Sequence, residues 1–278
     1  MKNKSIFRHS ADSTWGLLMV TLALATAVAA CTGAGASSAK IVTKTVDYEQ
    51  GGIPLEGTVV FDESSNIKRP GVLVVHQWMG PGAHELRVAK RLAELGYVAF
   101  IADIYGKGVR PADMQQAAAL AGRFRADRPL LRARAAAGLA ALRAQPMVDQ
   151  SRVAAIGYCF GGGTVLELAR SGATLNGVVS FHGNLDTPNP ADARNIKARL
   201  LVLHGANDPF VTPAQVAAFR QEMANAHVPY EFVAYPGAVH GFTIEEAGND
   251  PSKGMAYNAE ADRASWEKMK EFFNQLFG

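Results

Sequence analysis

Gly157-Tyr-Cys-Phe-Gly-Gly-Gly163 is the stretch on which the reading of this chain turns. A short apolar run, 151–156, leads into it, and a helical pattern, 164–170, leads out towards Gly172. A strand therefore turns sharply into a helix with Cys159 at the apex. Gly157 and Gly161 allow strand and helix to approach closely around a strained turn. This is the G-x-S-x-G elbow with cysteine in place of serine. Such a turn lifts the thiol above the end of a sheet. It also aims the N–H of Phe160, in the first helical turn, at any negative charge that develops on a bound carbonyl. Two other readings compete. A lone cysteine is commonly a small buried hydrophobe. A glycine-rich strand-to-helix turn can also be a dinucleotide loop, but that reading requires a Tyr-x-x-x-Lys pair downstream, and no tyrosine here has a lysine four residues on. The loop also lies mid-chain rather than after the first strand.

Working outward, the remaining segments alternate between strand and helix patterns. Segments 41–49 and 54–62 read as two strands around a Gly51-Gly52 turn. Val72-Leu-Val-Val-His76 is a continuous apolar run, as expected of a strand covered on both faces. Further strands are expected at 97–102, 176–181, 199–203 and 230–235, and helices at 83–95, 113–125, 129–145, 213–226 and 255–277. This order predicts an α/β fold with a mostly parallel sheet and helices on both faces. With 278 residues and 48% hydrophobic content, one large core and one domain, 40–278, are expected. The run Arg123, Arg125, Arg128, Arg132, Arg134 could attract an anionic ligand, but reads first as a solvated helix face. A formal charge of +3 without long basic runs excludes a nucleic-acid partner.

Residues 1–30 read as an export signal. Lys2, Lys4 and Arg8 precede an apolar run, 15–30, too short for a membrane span. The run ends Val28-Ala29-Ala30-Cys31, a lipoprotein-type cleavage pattern with Cys31 as the lipidated residue. The small, polar stretch 31–39 then serves as a tether. These features predict an exported protein of the cell envelope or periplasm, held to a membrane through Cys31. Two cysteines are too few for a disulfide framework.

Ligand sites of open α/β sheets lie beyond the carboxyl ends of the strands. Three chemistry-bearing residues fall there in order: Cys159 at the elbow, Asp208 after His204-Gly205, and His240 after Tyr235-Pro236. Nucleophile, acid and base follow one another as in an elbow-type triad. His240 can take the thiol proton and return it to a leaving group, while Asp208 fixes the imidazole tautomer. The second oxyanion donor is expected from the loop after the first buried strand, His76-Gln77-Trp78-Met79-Gly80, at the N–H of Trp78. Tyr105 and Phe242, with Trp78 and Phe160, are candidates to line an apolar pocket. His76, His182 and His204, with Asp103 and Asp208, could be imagined as a metal site, but their spacing fits no zinc pattern, and no metal is expected.

From about residue 45 to 277 the chain resembles the dienelactone hydrolase family, a branch of the α/β hydrolases. Gly157-Tyr-Cys-Phe-Gly-Gly162, Asp103-Ile-Tyr-Gly106, His204-Gly-x-x-Asp208 and His240-Gly-Phe242 carry the resemblance. It implies an α/β-hydrolase fold with an eight-stranded sheet and a Cys-Asp-His triad. It also implies hydrolysis of small-molecule esters or lactones through an acyl-thioester, without a cofactor. The chain departs from the family at Gln77, where those enzymes carry a glutamate that helps activate the thiol. They also clamp a substrate carboxylate with two arginines, whose places here fall near Lys107 and at Ile244. Gln77 and Lys107 are therefore expected at the substrate pocket, with weak activity on dienelactone itself. The alternative from another class is a non-catalytic binding protein of the cell envelope that keeps the elbow but lacks a competent His–Cys contact.

Overall fold

A computed structural model describes residues 39–278. The expected export signal, the lipidation at Cys31 and all but the last residue of the expected tether lie outside the described residues. One eight-stranded sheet runs through the domain. Its strands are β1 (Ile41–Gln50), β2 (Ile53–Asp62), β3 (Arg69–Val75), β4 (Val98–Ala102), β5 (Val148–Tyr158), β6 (Gly177–Phe181), β7 (Arg199–Gly205) and β8 (Tyr230–Tyr235). Their spatial order is β1-β2-β4-β3-β5-β6-β7-β8. The hairpin β1–β2 and the β2–β4 pair are antiparallel, and every other pair is parallel. Gly51 and Gly52 both take positive φ, which lets two residues turn the hairpin.

The helices are α1 (Ala83–Glu94), α2 (Met114–Ala126), α3 (Arg128–Arg143), α4 (Phe160–Arg170), α5 (Pro213–Ala226) and α6 (Ala259–Phe277). Alternation along the strands sorts them into two layers. Leu73 and Val75 of β3 enter a core shared with α2 to α5, whereas Val72 and Val74 enter one shared with α1 and α6. A strand buried on both faces cannot show a polar side, which is why β3 reads as an unbroken apolar run.

Two expectations are corrected. The last helix begins at Ala259, not at 255, because Asn258 caps it by accepting from the Ala261 N–H. Met255 is drawn instead into a bridge with His240. The arginine run is a solvated face only at Arg123, which is exposed. Arg128 and Arg134 are buried. Arg125 and Arg128 grip Asp186 at 3.2 and 2.8 Å, and Arg132 pairs with both Glu167 and Asp192. Arg125, Arg128 and Arg132 turn towards α4 and the loop after β6, where carboxylates offset the cost of burial, whereas Arg134 is buried with Nε and Nη1 unpartnered among the described residues.

Candidate active site

Parallel pairing aligns the carboxyl ends of the central strands. Val75 is in register with Gly157, Tyr158 with Phe181, and Gly205 with Tyr235. The loops that follow β3, β5, β7 and β8 therefore emerge along one edge. At the elbow, Cys159 has φ 53° and ψ −115°, a conformation costly for a non-glycine residue. The two flanking glycines make it possible. A side chain at Gly161 would strike the carbonyls of Val75 and His76, and one at Gly157 would strike the Gly161 backbone. Each glycine thus answers a close backbone approach rather than a need for flexibility.

The loops after β7 and β8 are fastened to each other. Asn207 N–H donates to the Ala238 carbonyl at 2.9 Å, and Gly237 N–H donates to Asn207 Oδ1 at 2.9 Å. This lacing brings Asp208 to His240. Asp208 Oδ2 lies 2.8 Å from His240 Nδ1, and its other oxygen accepts from Phe210 N–H at 2.8 Å. His240 Nε2 lies 3.0 Å from Cys159 Sγ. Both His240 and Asp208 are buried, and Cys159 is half-buried.

Charge favours an ion pair across the 3.0 Å contact. Burial alone would raise the Cys159 thiol. It is outweighed by the His240 imidazolium and by the N–H groups of Phe160 and Trp78, which leave the thiol below its ordinary value. Burial likewise opposes the charged imidazole, but the facing sulfur and the Asp208 carboxylate raise His240 to about 10. The two amides singled out from the sequence thus act on the same sulfur.

The other expected residues fall into two groups. Gln77 and Trp78 are half-buried in the loop after β3. Gln77 Oε1 accepts from Met79 N–H, and Gln77 N–H donates to the carboxylate of Glu85, a fully buried residue on α1. Tyr105, Phe242 and Lys107 do not line the site as expected. Tyr105 is only 4% exposed and stands behind the loop, its hydroxyl donating to the Trp78 carbonyl at 2.8 Å. Phe242 is fully buried against Tyr235 and His182. Lys107 turns away to Asp47 at 2.7 Å and Glu56 at 3.3 Å on the hairpin, whose carboxylates outcompete the site for its charge.

The histidines are spread apart. His76 bridges the Gln77 carbonyl and the Ile104 N–H, His182 contacts Thr243 Oγ1 at 2.9 Å, and His204 packs on Phe232. Among the described residues no three His, Cys, Asp or Glu side chains are grouped to hold a metal ion.

Sequence reasoning missed Glu85 and Phe210. Glu85 holds the oxyanion-side loop through Gln77 N–H and Gly82 N–H. Phe210 is 54% exposed, and its ring stands edge-on to His240 with centroids 5.5 Å apart. The only signal for Phe210 was its place two residues after Asp208. An exposed aromatic beside a buried histidine becomes visible only in three dimensions.

Comparison with known proteins agrees with this architecture. The model of the dienelactone hydrolase family matches residues 55–277. A Synechocystis protein provisionally named a carboxymethylenebutenolidase is 28% identical over 222 residues, covering 73% of this chain and 85% of its own length. Among solved structures, one titled m3DLH is 39% identical with a TM-score of 0.83, covering 86% of this chain and 99% of that one. Another is titled a dienelactone hydrolase-like promiscuous phosphotriesterase from metagenomic libraries. It is 40% identical with a TM-score of 0.82 and the same coverage. With its eight-stranded α/β-hydrolase sheet and its cysteine elbow, the chain belongs to the dienelactone hydrolase family and is a hydrolase of ester or lactone bonds.

Proposed function

We propose that the chain hydrolyses small carboxylic esters or lactones by covalent catalysis at Cys159. The observation that carries this reading is the continuous line Asp208–His240–Cys159, with contacts of 2.8 and 3.0 Å. The Cys159 thiolate attacks the carbonyl carbon, and the carbonyl electron pair moves onto oxygen. The N–H groups of Phe160 and Trp78 stabilise that oxyanion. As it collapses, the C–O bond to the leaving alcohol breaks and His240 delivers a proton to the departing oxygen. A thioester remains on Cys159. His240, now neutral, removes a proton from water, whose oxygen attacks the thioester. Collapse expels the thiolate and releases the carboxylic acid. Asp208 keeps the Nδ1 proton in place and stabilises the imidazolium throughout.

The substrate is less anionic than dienelactone. Lys107 is committed to Asp47 and Glu56, and the place of the family's second arginine is Ile244. The sequence of the first forty residues supports export and a lipid tether at Cys31, so the substrate would be met in the cell envelope or periplasm.

The test is turnover by the full chain and by Cys159→Ala on p-nitrophenyl esters, small lactones and dienelactone. An aryl phosphotriester is added because a 40% identical structure carries that activity in its title. Ester or lactone turnover that falls at least about ten-thousandfold in the variant is expected. Turnover that survives the substitution would overturn the nucleophile. Absence of turnover across the panel would favour the binding-protein alternative. Dienelactone ranked with the best esters would overturn the charge argument.

A further inference from the structure

A cavity of about 160 Å³ lies on the opposite side of β5 from the elbow helix, between α1, α6 and the segment after His240. Val88, Phe181 and Trp266 form its apolar wall, and His84, Arg91, Tyr158 and Thr243 supply its polar groups. Three features mark it as a built site. His84 is only 7% exposed, and its Nε2 is buried without a hydrogen-bond partner among the described residues. A buried nitrogen left unpaired is costly, and a ligand group that pairs with it would recover that cost. Arg91 lies flat on the Trp266 ring, 3.7 Å from its centroid, which holds the guanidinium in place while leaving its edge uncommitted. Its neighbour Arg87 is already engaged by Glu246 at 2.8 Å. Tyr158 is held between His84 and Phe181, with ring centroids 4.6 Å from each. Burial pushes its hydroxyl well above the ordinary value, so it stays able to donate, and lowers His84 to about 4, so its imidazole is neutral at pH 7.

We propose that this cavity binds a small organic carboxylate, its carboxylate on Arg91, Tyr158 and His84 and its apolar body against Val88, Phe181 and Trp266. The lining carries Arg87, Arg91, Glu245 and Asp262; with Arg87 held by Glu246, the uncommitted charge that faces a ligand beside Tyr158 is the Arg91 guanidinium, and a purely apolar ligand would leave it and His84 Nε2 unpaired. Cavities of this size accommodate a ligand of about six to ten non-hydrogen atoms. Asp262 also borders the cavity; Tyr257 donates to one of its oxygens at 3.2 Å, and burial raises its carboxyl above the ordinary value while Arg91 opposes that rise.

The cavity is linked to the site above it. Thr243 lines it and contacts His182 Nε2 at 2.9 Å, while His182 Nδ1 is buried without a partner among the described residues. The His182 ring packs edge-on against His240 with centroids 5.4 Å apart. A carboxylate seated beside Thr243 is an acceptor only and competes with His182 Nε2 for the hydroxyl proton, which loosens the polar tie that orients His182 behind His240. The carboxylate site stands by itself, whereas this link rests on His240 acting as the base. A carboxylic acid is also what ester hydrolysis releases, so the cavity would sense product.

The experiment titrates benzoate into the full chain and follows both binding heat and ester turnover. A single site is expected whose Kd weakens at least about tenfold in Arg91→Met, a change at an exposed position that keeps an apolar stem over Trp266. Benzoate should lower kcat and leave KM unchanged. In Thr243→Val binding should persist while the effect on kcat disappears. No binding at tens of millimolar, or binding indifferent to Arg91→Met, overturns the site. Purely competitive inhibition places benzoate at Cys159 and also overturns it. Binding that responds to Arg91→Met with kcat unchanged overturns the link to His240. If the chain turns over no ester, the binding measurements still decide the site.

Discussion

The Tyr105 hydroxyl donates to the Trp78 carbonyl across 2.8 Å, tying the end of β4 to the loop that offers the Trp78 N–H to Cys159. The tyrosine is itself anchored, because Asp103 Oδ1 accepts from the N–H groups of Tyr105 and Gly106. The Asp-Ile-Tyr-Gly stretch thus holds the Trp78 loop in place from behind. In Tyr105→Phe the loop loses this tie but keeps its packing. A fall in kcat of roughly tenfold is expected, with KM within about twofold and little change in Tm. Steady-state kinetics on one good ester decides it. Unchanged kcat would show that packing alone holds Trp78.

The pairing of Cys159 with His240 sets the pH profile. The thiol lies below its ordinary value of 9.0, and the imidazole is raised to about 10. Activity therefore rises on the acid side as Cys159 loses its proton, below pH 9, and falls on the alkaline side as His240 loses the proton it must donate, near pH 10. Labelling of Cys159 by iodoacetamide should rise over the same acid limb. In His240→Gln that limb should move up towards 9, because the positive partner is gone. An acid limb that stays in place in the variant would show that the backbone amides alone activate the thiol.

Arg170 is 1% exposed and holds three positions of the fold at once. It reaches Glu222 on α5 at 2.7 Å, Glu167 on its own helix at 3.0 Å, and the Leu185 carbonyl at 3.0 Å. Arg170→Met leaves two buried carboxylates without their main cation. A loss of about 3–5 kcal/mol in unfolding free energy is expected, measured by urea denaturation. A loss below about 1 kcal/mol would mean that Arg132, 2.8 Å from Glu167, takes over the charge.

The elbow was legible because its glycines answer a local backbone contact that leaves a local sequence pattern. That Cys159, Asp208 and His240 meet was legible because β5, β7 and β8 end in register, so chain order translates into position on one edge. What failed were assignments that depend on which of two neighbours wins a side chain. Lys107 was placed at the pocket by its position in the motif, yet two hairpin carboxylates far earlier in the chain hold it. Phe242 follows His240 closely enough to line a site, but it packs into the α1–α6 layer with no exposure. The arginine run reads the same whether its helix faces water or Glu167, since the partners lie on α4 and the loops beyond it.

The Cys31 proposal makes a separable prediction. If Cys31 carries the lipid, the native chain sediments with membranes and needs detergent for release, whereas Cys31→Ser appears in the soluble fraction with the same specific activity. Equal partition of the two would instead favour ordinary signal cleavage after the small residues 28–30, with Cys31 a bystander.

Phe210 is the exposed aromatic that the site presents beside its base. Its ring stands edge-on to His240, and its N–H holds one oxygen of Asp208. The amide contact survives any side-chain change, so a substitution here separates recognition from triad geometry. Burying an exposed aromatic against a substrate ring is worth about 0.5–1.5 kcal/mol beyond simple contact area. In Phe210→Ala, kcat/KM for aryl esters should fall about three- to tenfold, mainly through KM, while small alkyl esters change less than about twofold. Phe210→Leu should recover part of the loss, because it restores area without the ring. Equal losses for aryl and alkyl esters would instead assign the side chain to holding His240 upright, and the pH profile of the variant would then shift with it.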